Sequence, residues 1–326
     1  MQKIEQLIKE KARDLLAAEQ VASVIAWQKG EMFYDNAPAY FGSPEELDAL
    51  VYNAFCAANL SKYLIANTKK DEKTAVFLKP CDTYSLNQLI KDRRVQREQV
   101  LVIGIPCAGM VDINKVKAQG LKGIIAITED GDNLTVQTAY GTKQVARAEV
   151  LLNKCLSCKG SAYAISDETL GEPVAVKHAP YDRFAEVGKL ESLSPQERFA
   201  FWQEELSKCI RCNACRDICP ACSCEQCIFD NPDSPLAGKA NNNSAEEQLF
   251  HIIRAYHVAG RCTDCGECSR VCPQGIRLDL LNRKFIKDIN EFYGDYQAGA
   301  DADTNAPLLS FDVEDVEPGA ATKGRE

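Results

Sequence analysis

Apolar residues recur at helical spacing at the start of the chain, where Ile4, Leu7, Ile8, Leu15 and Leu16 fall on one face of residues 3–18. A strand-like apolar run follows at 21–27, then a helical pattern at 44–64 that contains Cys56. Short apolar runs come next at 74–79 (TAVFLK), 99–105 (QVLVIGI), 121–127 (LKGIIAI) and 133–139 (NLTVQTA), with helical patterns at 84–93 and 111–118. Buried strands alternating with helices predict an α/β domain with a largely parallel sheet over 1–165. Residues 166–193 are mixed and polar, with Pro173 and Pro180, and read as a connector.

The pattern then turns helical. Ser194-Pro195-Gln196-Glu197 is a capping box with proline at the first helical position, and its helix leads past Phe199 and Trp202 to Lys208. Ser244-Ala245-Glu246-Glu247 is a second such box. Its helix carries Leu249, Ile252, Ile253 and Tyr256 and stops at Gly260. A third helical pattern covers 278–292, so a helical domain is expected over 194–296. Residues 297–326 hold seven acidic residues against Lys323 and Arg325 and are expected to form a disordered acidic tail. The apolar island Pro307-Leu308-Leu309-Ser310-Phe311 leaves a docking segment open as the alternative.

A chain of 326 residues, 45% hydrophobic and 26% charged, fits two or three ordinary globular domains. No apolar run reaches the ~18 residues that span a bilayer. The N-terminus is an amphipathic charged helix and not a secretory signal, so a cytoplasmic protein with no membrane span is expected. A net charge of −9 without a long basic run argues against nucleic acid as a partner. Sixteen cysteines in a reducing compartment point to metal ligation and not to disulfides, and three histidines argue against a histidine-based site.

The cysteines carry the chemistry. C-I-R-C-N-A-C-R-D-I-C-P at 209–220 and C-T-D-C-G-E-C-S-R-V-C-P at 262–273 are both C-x2-C-x2-C-x3-C-P, the two-cluster ferredoxin run in which each fourth cysteine ligates the other cluster. Three thiolates on one loop cap three irons of a cubane, so the two runs must fold together to supply the fourth. Cys209, Cys212, Cys215 and Cys272 are therefore assigned to one 4Fe-4S cluster, and Cys262, Cys265, Cys268 and Cys219 to a second. Structural zinc ordinarily uses paired C-x2-C hooks instead. The runs start 53 positions apart with a helix between them, which predicts a helical ferredoxin module.

Eight cysteines lie outside the runs. Cys81 and Cys107 each follow a predicted strand, at the edge where open α/β sheets bind ligands, and Cys155 and Cys158 form a C-x2-C hook. These residues alone leave open a third cluster, a zinc site, or plain packing of Cys81 and Cys107. Cys222, Cys224 and Cys227 extend the first run as C-P-A-C-S-C-E-Q-C; they either help hold a further cluster or replace one of the assigned ligands, and no ligand set closes around them. Cys56 reads as core.

Lys79-Pro80-Cys81-Asp82, Gly104-Ile105-Pro106-Cys107 and Cys155-Leu156-Ser157-Cys158 resemble the beta-subunit family of deazaflavin-reducing hydrogenases and formate dehydrogenases, well over about 70–175 and loosely before that. The resemblance implies an α/β domain with one 4Fe-4S cluster, held here by Cys81, Cys107, Cys155 and Cys158, and a flavin, FAD or FMN. No G-x-G-x-x-G opens a helix after a strand. The second half is similar to the α-helical dicluster ferredoxin domain of heterodisulfide-reductase-like iron–sulfur subunits, from which Cys222, Cys224 and Cys227 depart as additions.

Together these imply an iron–sulfur electron-transfer subunit of a multi-subunit oxidoreductase, working with a flavoprotein, hydrogenase or dehydrogenase. The alternative is a subunit that itself uses flavin to reduce or oxidise a nicotinamide or deazaflavin carrier. A zinc-holding scaffold is the third reading.

Overall fold

The computed structural model describes residues 2–68, 72–174, 176–177, 181–231 and 244–307. Eight strands form among them: β1 (Ser23–Gln28), β2 (Ala37–Phe41), β3 (Thr74–Leu78), β4 (Val100–Gly104), β5 (Ile124–Asp130), β6 (Asn133–Thr138), β7 (Gly141–Ala146) and β8 (Glu168–Thr169). The first sheet has the order β2-β1-β3-β4-β8, with β1, β3, β4 and β8 parallel and β2 antiparallel at one edge. Every residue of β3 is buried, as the central position of a covered parallel sheet requires. The helix Gln2–Ala17 lays Ile8, Ala12, Leu15 and Leu16 into the same core as Val24, Ile25, Val76 and Val102. The N-terminal half is thus an α/β unit with a mostly parallel sheet, and a helical region follows it.

Three stretches differ from their sequence pattern. The runs at 121–127 and 133–139 do not join the parallel sheet; they form a separate antiparallel sheet, β5-β6-β7. Their connectors are residues 131–132 and 139–140, and a two-residue link can only join antiparallel strands. β7 is mostly exposed and so gives no apolar signal. Residues 44–64 are not one helix but two 3₁₀ turns, Pro44–Ala49 and Leu60–Tyr63, around an irregular buried stretch. The Asn53 and Asn59 side chains accept from nearby backbone N–H groups there, an alternative to helix that asparagine favours. Within 166–193, Glu168–Thr169 pairs with β4, and the Asp167 carboxylate accepts from Val102 N–H at 2.7 Å.

In the helical half, the Ser194 hydroxyl accepts from Glu197 N–H and the Glu197 carboxylate accepts from Ser194 N–H, with Pro195 opening the helix Pro195–Ser207. The Ser244 side chain lies outside the described residues. The helices Ser244–His257 and Leu278–Tyr293 bracket the second cysteine run. Residues 297–307 lie against the α/β half, where Gly299 C=O accepts from the Asn87 side chain and Ala298 and Ala306 are buried. Residues 308–326, with most of the acidic tail and its apolar island, lie outside the described residues. No helix among the described residues is long and apolar enough to cross a membrane.

The two halves meet at Glu267, fully buried between Cys265 and Cys268. Its carboxylate accepts from Lys154 Nζ, from Arg270 Nη2 at 2.7 Å and from Asn59 N–H at 3.3 Å. Ser85 and Thr263 share a hydrogen bond beside it, and Arg261 binds Asp92 at the rim. Burial alone would raise the Glu267 carboxyl; Lys154 and Arg270 more than reverse this and hold it well below the usual range. Glu267→Gln should therefore cost about 3–5 kcal/mol, the usual penalty for breaking a buried ion pair, measured by denaturant unfolding. Because the folded carboxyl is depressed, its stabilisation is present above the unfolded value near ~4.3 and is lost as pH falls below it. The gap between wild type and variant should accordingly close on acidification.

Candidate metal centres

Each cysteine run wraps a loop whose backbone turns left-handed at the same two positions. Arg211 (φ 51°) and Asn213 (φ 63°) flank Cys212, as Asp264 (φ 54°) and Gly266 (φ 67°) flank Cys265. Asparagine and glycine tolerate that region best. At Gly266 the requirement is also spatial, because a Cβ there would stand 2.5 Å from Lys154 Cβ. These turns let three sulfurs point to one side of each loop. Cys209, Cys212 and Cys215 share a cavity with Cys272 from the other run, closed by Phe250, His251 and Ile276. Arg211 N–H donates to Cys209 Sγ at 3.3 Å.

Cys219 leaves the first run and packs with Cys262 against Val258, and Cys265 and Cys268 lie near enough for their thiols to feel both. The structure thus brings together Cys209, Cys212, Cys215 and Cys272 as one group and Cys219, Cys262, Cys265 and Cys268 as another. Burial pushes the Cys262 thiol up to about 12 and raises Cys265 and Cys268 as well. Such thiols ionise when a metal takes the place of the proton.

Cys81 and Cys107 stand just past the carboxyl ends of β3 and β4 and meet Cys155 and Cys158 around a cavity of about 30 Å³. Met110 N–H donates to Cys155 Sγ at 3.3 Å and Gly109 N–H to Cys107 Sγ at 3.4 Å. Burial pushes the Cys107 thiol up to about 12. Lys79, Lys154 and Lys159 line the same cavity. Lys79 has no exposed surface: its ammonium donates to the Cys56 and Ala58 carbonyls, pairs with Asp82 at 2.8 Å and lies 4.2 Å from the Trp27 ring. Cys265 of the second group and its neighbour Asp264 also line this cavity, so the two cysteine sets are neighbours.

The surroundings suit anionic iron–sulfur clusters. Arg254 is 2% exposed, none of its three guanidinium nitrogens has a partner, and it faces Cys215, Cys219, Cys222 and Cys268. A buried cation without a counter-charge is costly, and cluster thiolates would supply it. Tetrahedral zinc with Zn–S near ~2.3 Å would draw its sulfurs much closer than 4.8 Å. Among the described residues the one group of three potential ligand atoms within 4.8 Å is Cys209, Glu247 and His251, and there Glu247 is held by Arg211 at 2.8 Å. Cys222, Cys224 and Cys227 line a separate cavity beside Arg254, and Cys222 also packs against Cys219 and Cys262 of the second group. Cys56 is fully buried in the α/β core.

Lys79, Lys154, Arg254, His251 and Glu267 were not read from the sequence as part of these sites. A local signal existed for the lysines, which immediately precede Pro80-Cys81 and Cys155, and for Glu267, which lies inside the second cysteine run.

A 4Fe-4S dicluster domain matches residues 205–276. The F420-dependent formate dehydrogenase subunit beta of Methanocaldococcus jannaschii is 25% identical over 355 residues, covering 91% of this chain and 92% of that protein. The F420-dependent formate dehydrogenase 1 subunit beta of Methanococcus maripaludis is 24% identical over 270 residues, covering 64% of this chain and 70% of that one. A chain of the F420-reducing NiFe hydrogenase complex from Methanosarcina barkeri overlays with a TM-score of 0.39 and 11% identity, over 64% of this chain and 90% of its own.

The crossing of the fourth cysteines has a direct test. Cys272→Ala should bleach the cluster signal of the Cys209 group and spare that of the Cys262 group, followed by EPR on the reduced protein. Loss of the Cys262-group signal with the other intact would reverse the assignment.

Proposed function

Because the chain resembles the beta-subunit family of F420-dependent formate dehydrogenases over 91% of its length and carries a 4Fe-4S dicluster domain, we propose that it is an iron–sulfur electron-transfer subunit of a cytoplasmic multi-subunit oxidoreductase, relaying single electrons between redox partners. The observation that carries this reading is the shared cavity wall. Cys265, a ligand proposed for one ferredoxin cluster, lines the cavity of Cys81, Cys107, Cys155 and Cys158. Iron–sulfur cubanes at these places would supply one-electron redox chemistry.

The chain's own residues fit that task. The four cysteines of each group would hold the cluster, and Cys81 and Cys107 do so from the rigid ends of β3 and β4. Lys79, Lys154 and Arg254 set fixed positive charge beside the thiolates. The apolar walls around Cys215 and Cys268, with Leu206, Ile276 and Leu278, keep water out. The division into an α/β unit expected over 1–165, which β8 carries on to Thr169, and a ferredoxin unit over 194–296 belongs to the same proposal. The F420 dependence in the relatives' names favours a second reading, in which this chain itself binds FAD or FMN and exchanges electrons with a deazaflavin carrier. Acid release of flavin from the purified complex would establish that reading.

Anaerobically purified protein should hold eight to twelve irons with matching sulfide in these three cysteine groups, as two or three cubanes demand. Cys107→Ser should remove roughly four of them, one cubane's worth, spare the two ferredoxin signals and block electron passage between the halves. Unchanged iron in both Cys107→Ser and Cys81→Ser would return those residues to packing, and about four irons in the wild type would defeat the two-run assignment.

A further inference from the structure

Cys222, Cys224 and Cys227 line a cavity of about 280 Å³, and the helix Ser244–His257 contributes His257 to its wall. Its remaining lining is rich in cations: Lys62, Arg216, Arg254 and Arg261. Arg216 and Arg261 already have carboxylate partners in Asp230 and Asp92. Lys62 reaches over from the α/β half and donates to the backbone carbonyls of Cys219 and Cys222. Arg254 has neither kind of partner, and it is the buried one. A cavity that gathers three thiols, an imidazole and an unpaired buried guanidinium is arranged for an anion that the thiols help to make.

We propose that Cys222, Cys224, Cys227 and His257 ligate a further 4Fe-4S cluster. This rests on the iron–sulfur reading above and adds the ligand set that the C-P-A-C-S-C-E-Q-C stretch lacks by itself. Imidazole is a known substitute for thiolate on cluster iron. Zinc is the competing metal for three cysteines and a histidine. The structure disfavours it on two counts. The ligand atoms are not drawn into a group within 4.8 Å, which a single small ion would require. The cavity of about 280 Å³ is also far more than one ion fills, whereas a closed tetrahedral zinc site leaves no such space. The loop is held for the purpose: Cys222 N–H bonds Cys219 C=O at 3.1 Å, Asp230 N–H bonds Cys227 C=O at 2.9 Å, and Phe229 stacks edge-on against Phe250. Cys222 packs beside Cys219 and Cys262, so this site adjoins the Cys262 group directly. Cys224 is exposed, which puts the site at the protein surface.

The test uses the full chain purified anaerobically, with iron, sulfide and zinc measured and pulsed EPR recorded. Cys224→Ser and Cys227→Ser should each lose roughly four irons, one cubane's worth, with zinc absent throughout. His257 is exposed, so its replacement does not threaten folding. The wild type should show a nitrogen hyperfine coupling that His257→Cys abolishes while keeping its iron. Unchanged iron in both serine variants, or the loss of one zinc in place of the irons, overturns the proposal, and a missing nitrogen coupling overturns the ligand set. Cys272→Ala is the control. If it loses iron while the serine variants do not, this site fails and the ferredoxin reading stands; if none of the three loses iron, the iron–sulfur reading itself fails.

Discussion

Negative charge in a dry interior is the constraint to which the rest of this molecule answers. Thiols this deeply buried resist ionisation, so each cysteine group comes with a fixed cation: Lys79 and Lys154 at the Cys81 group, Arg254 between the two ferredoxin groups. The cost of burying those cations shapes the backbone around them. Lys79 needs the carbonyls of Cys56 and Ala58, and carbonyls tied up in a helix ladder would be poorly placed to serve it. The irregular course of residues 44–64 leaves those two carbonyls available to it. Asp82, in the first turn of the helix Pro80–Lys91, completes the ammonium's shell and sits next to Cys81.

The same residues set the spatial order of the sites. Cys265 belongs to one ferredoxin group and to the wall of the α/β cavity, while Arg254 faces cysteines of both ferredoxin groups and Cys222. The Cys219, Cys262, Cys265 and Cys268 group therefore stands in the middle, with three neighbours. That placement depends on β3 and β4 ending side by side in register, Leu78 against Gly104, so that Cys81 and Cys107 leave the sheet together.

Much of this was legible because cysteine spacing is local while its consequence is not. A C-x2-C-x2-C loop announces three sulfurs on one side, and the fourth cysteine after a short helical turn must look elsewhere. The strand ends before Cys81 and Cys107 were equally plain, since fully buried parallel strands read as unbroken apolar runs. The antiparallel sheet over 124–146 was not, because β7 shows water four polar or small residues in succession and carries no apolar pattern. Nor were the counter-charges. Arg254 and Glu267 look in the sequence like ordinary residues of a charged helix and a loop, and what distinguishes them is burial against partners from elsewhere in the chain. Glu267 meets Lys154 across 113 positions.

Glu267 also bears on how such a protein comes to be assembled. It lies in the Cys265–Cys268 loop and bonds to the α/β half through Lys154 and Asn59, so the shape of that loop and the docking of the halves share one residue. Whatever fixes the loop favours docking, and docking favours the loop's fixed shape by the same factor, because linkage is reciprocal. Cofactor insertion and closure of the molecule are then two views of a single maturation step. A chain waiting for its iron would be the looser object at this seam, and a finished one would guard its iron with the interface between its halves.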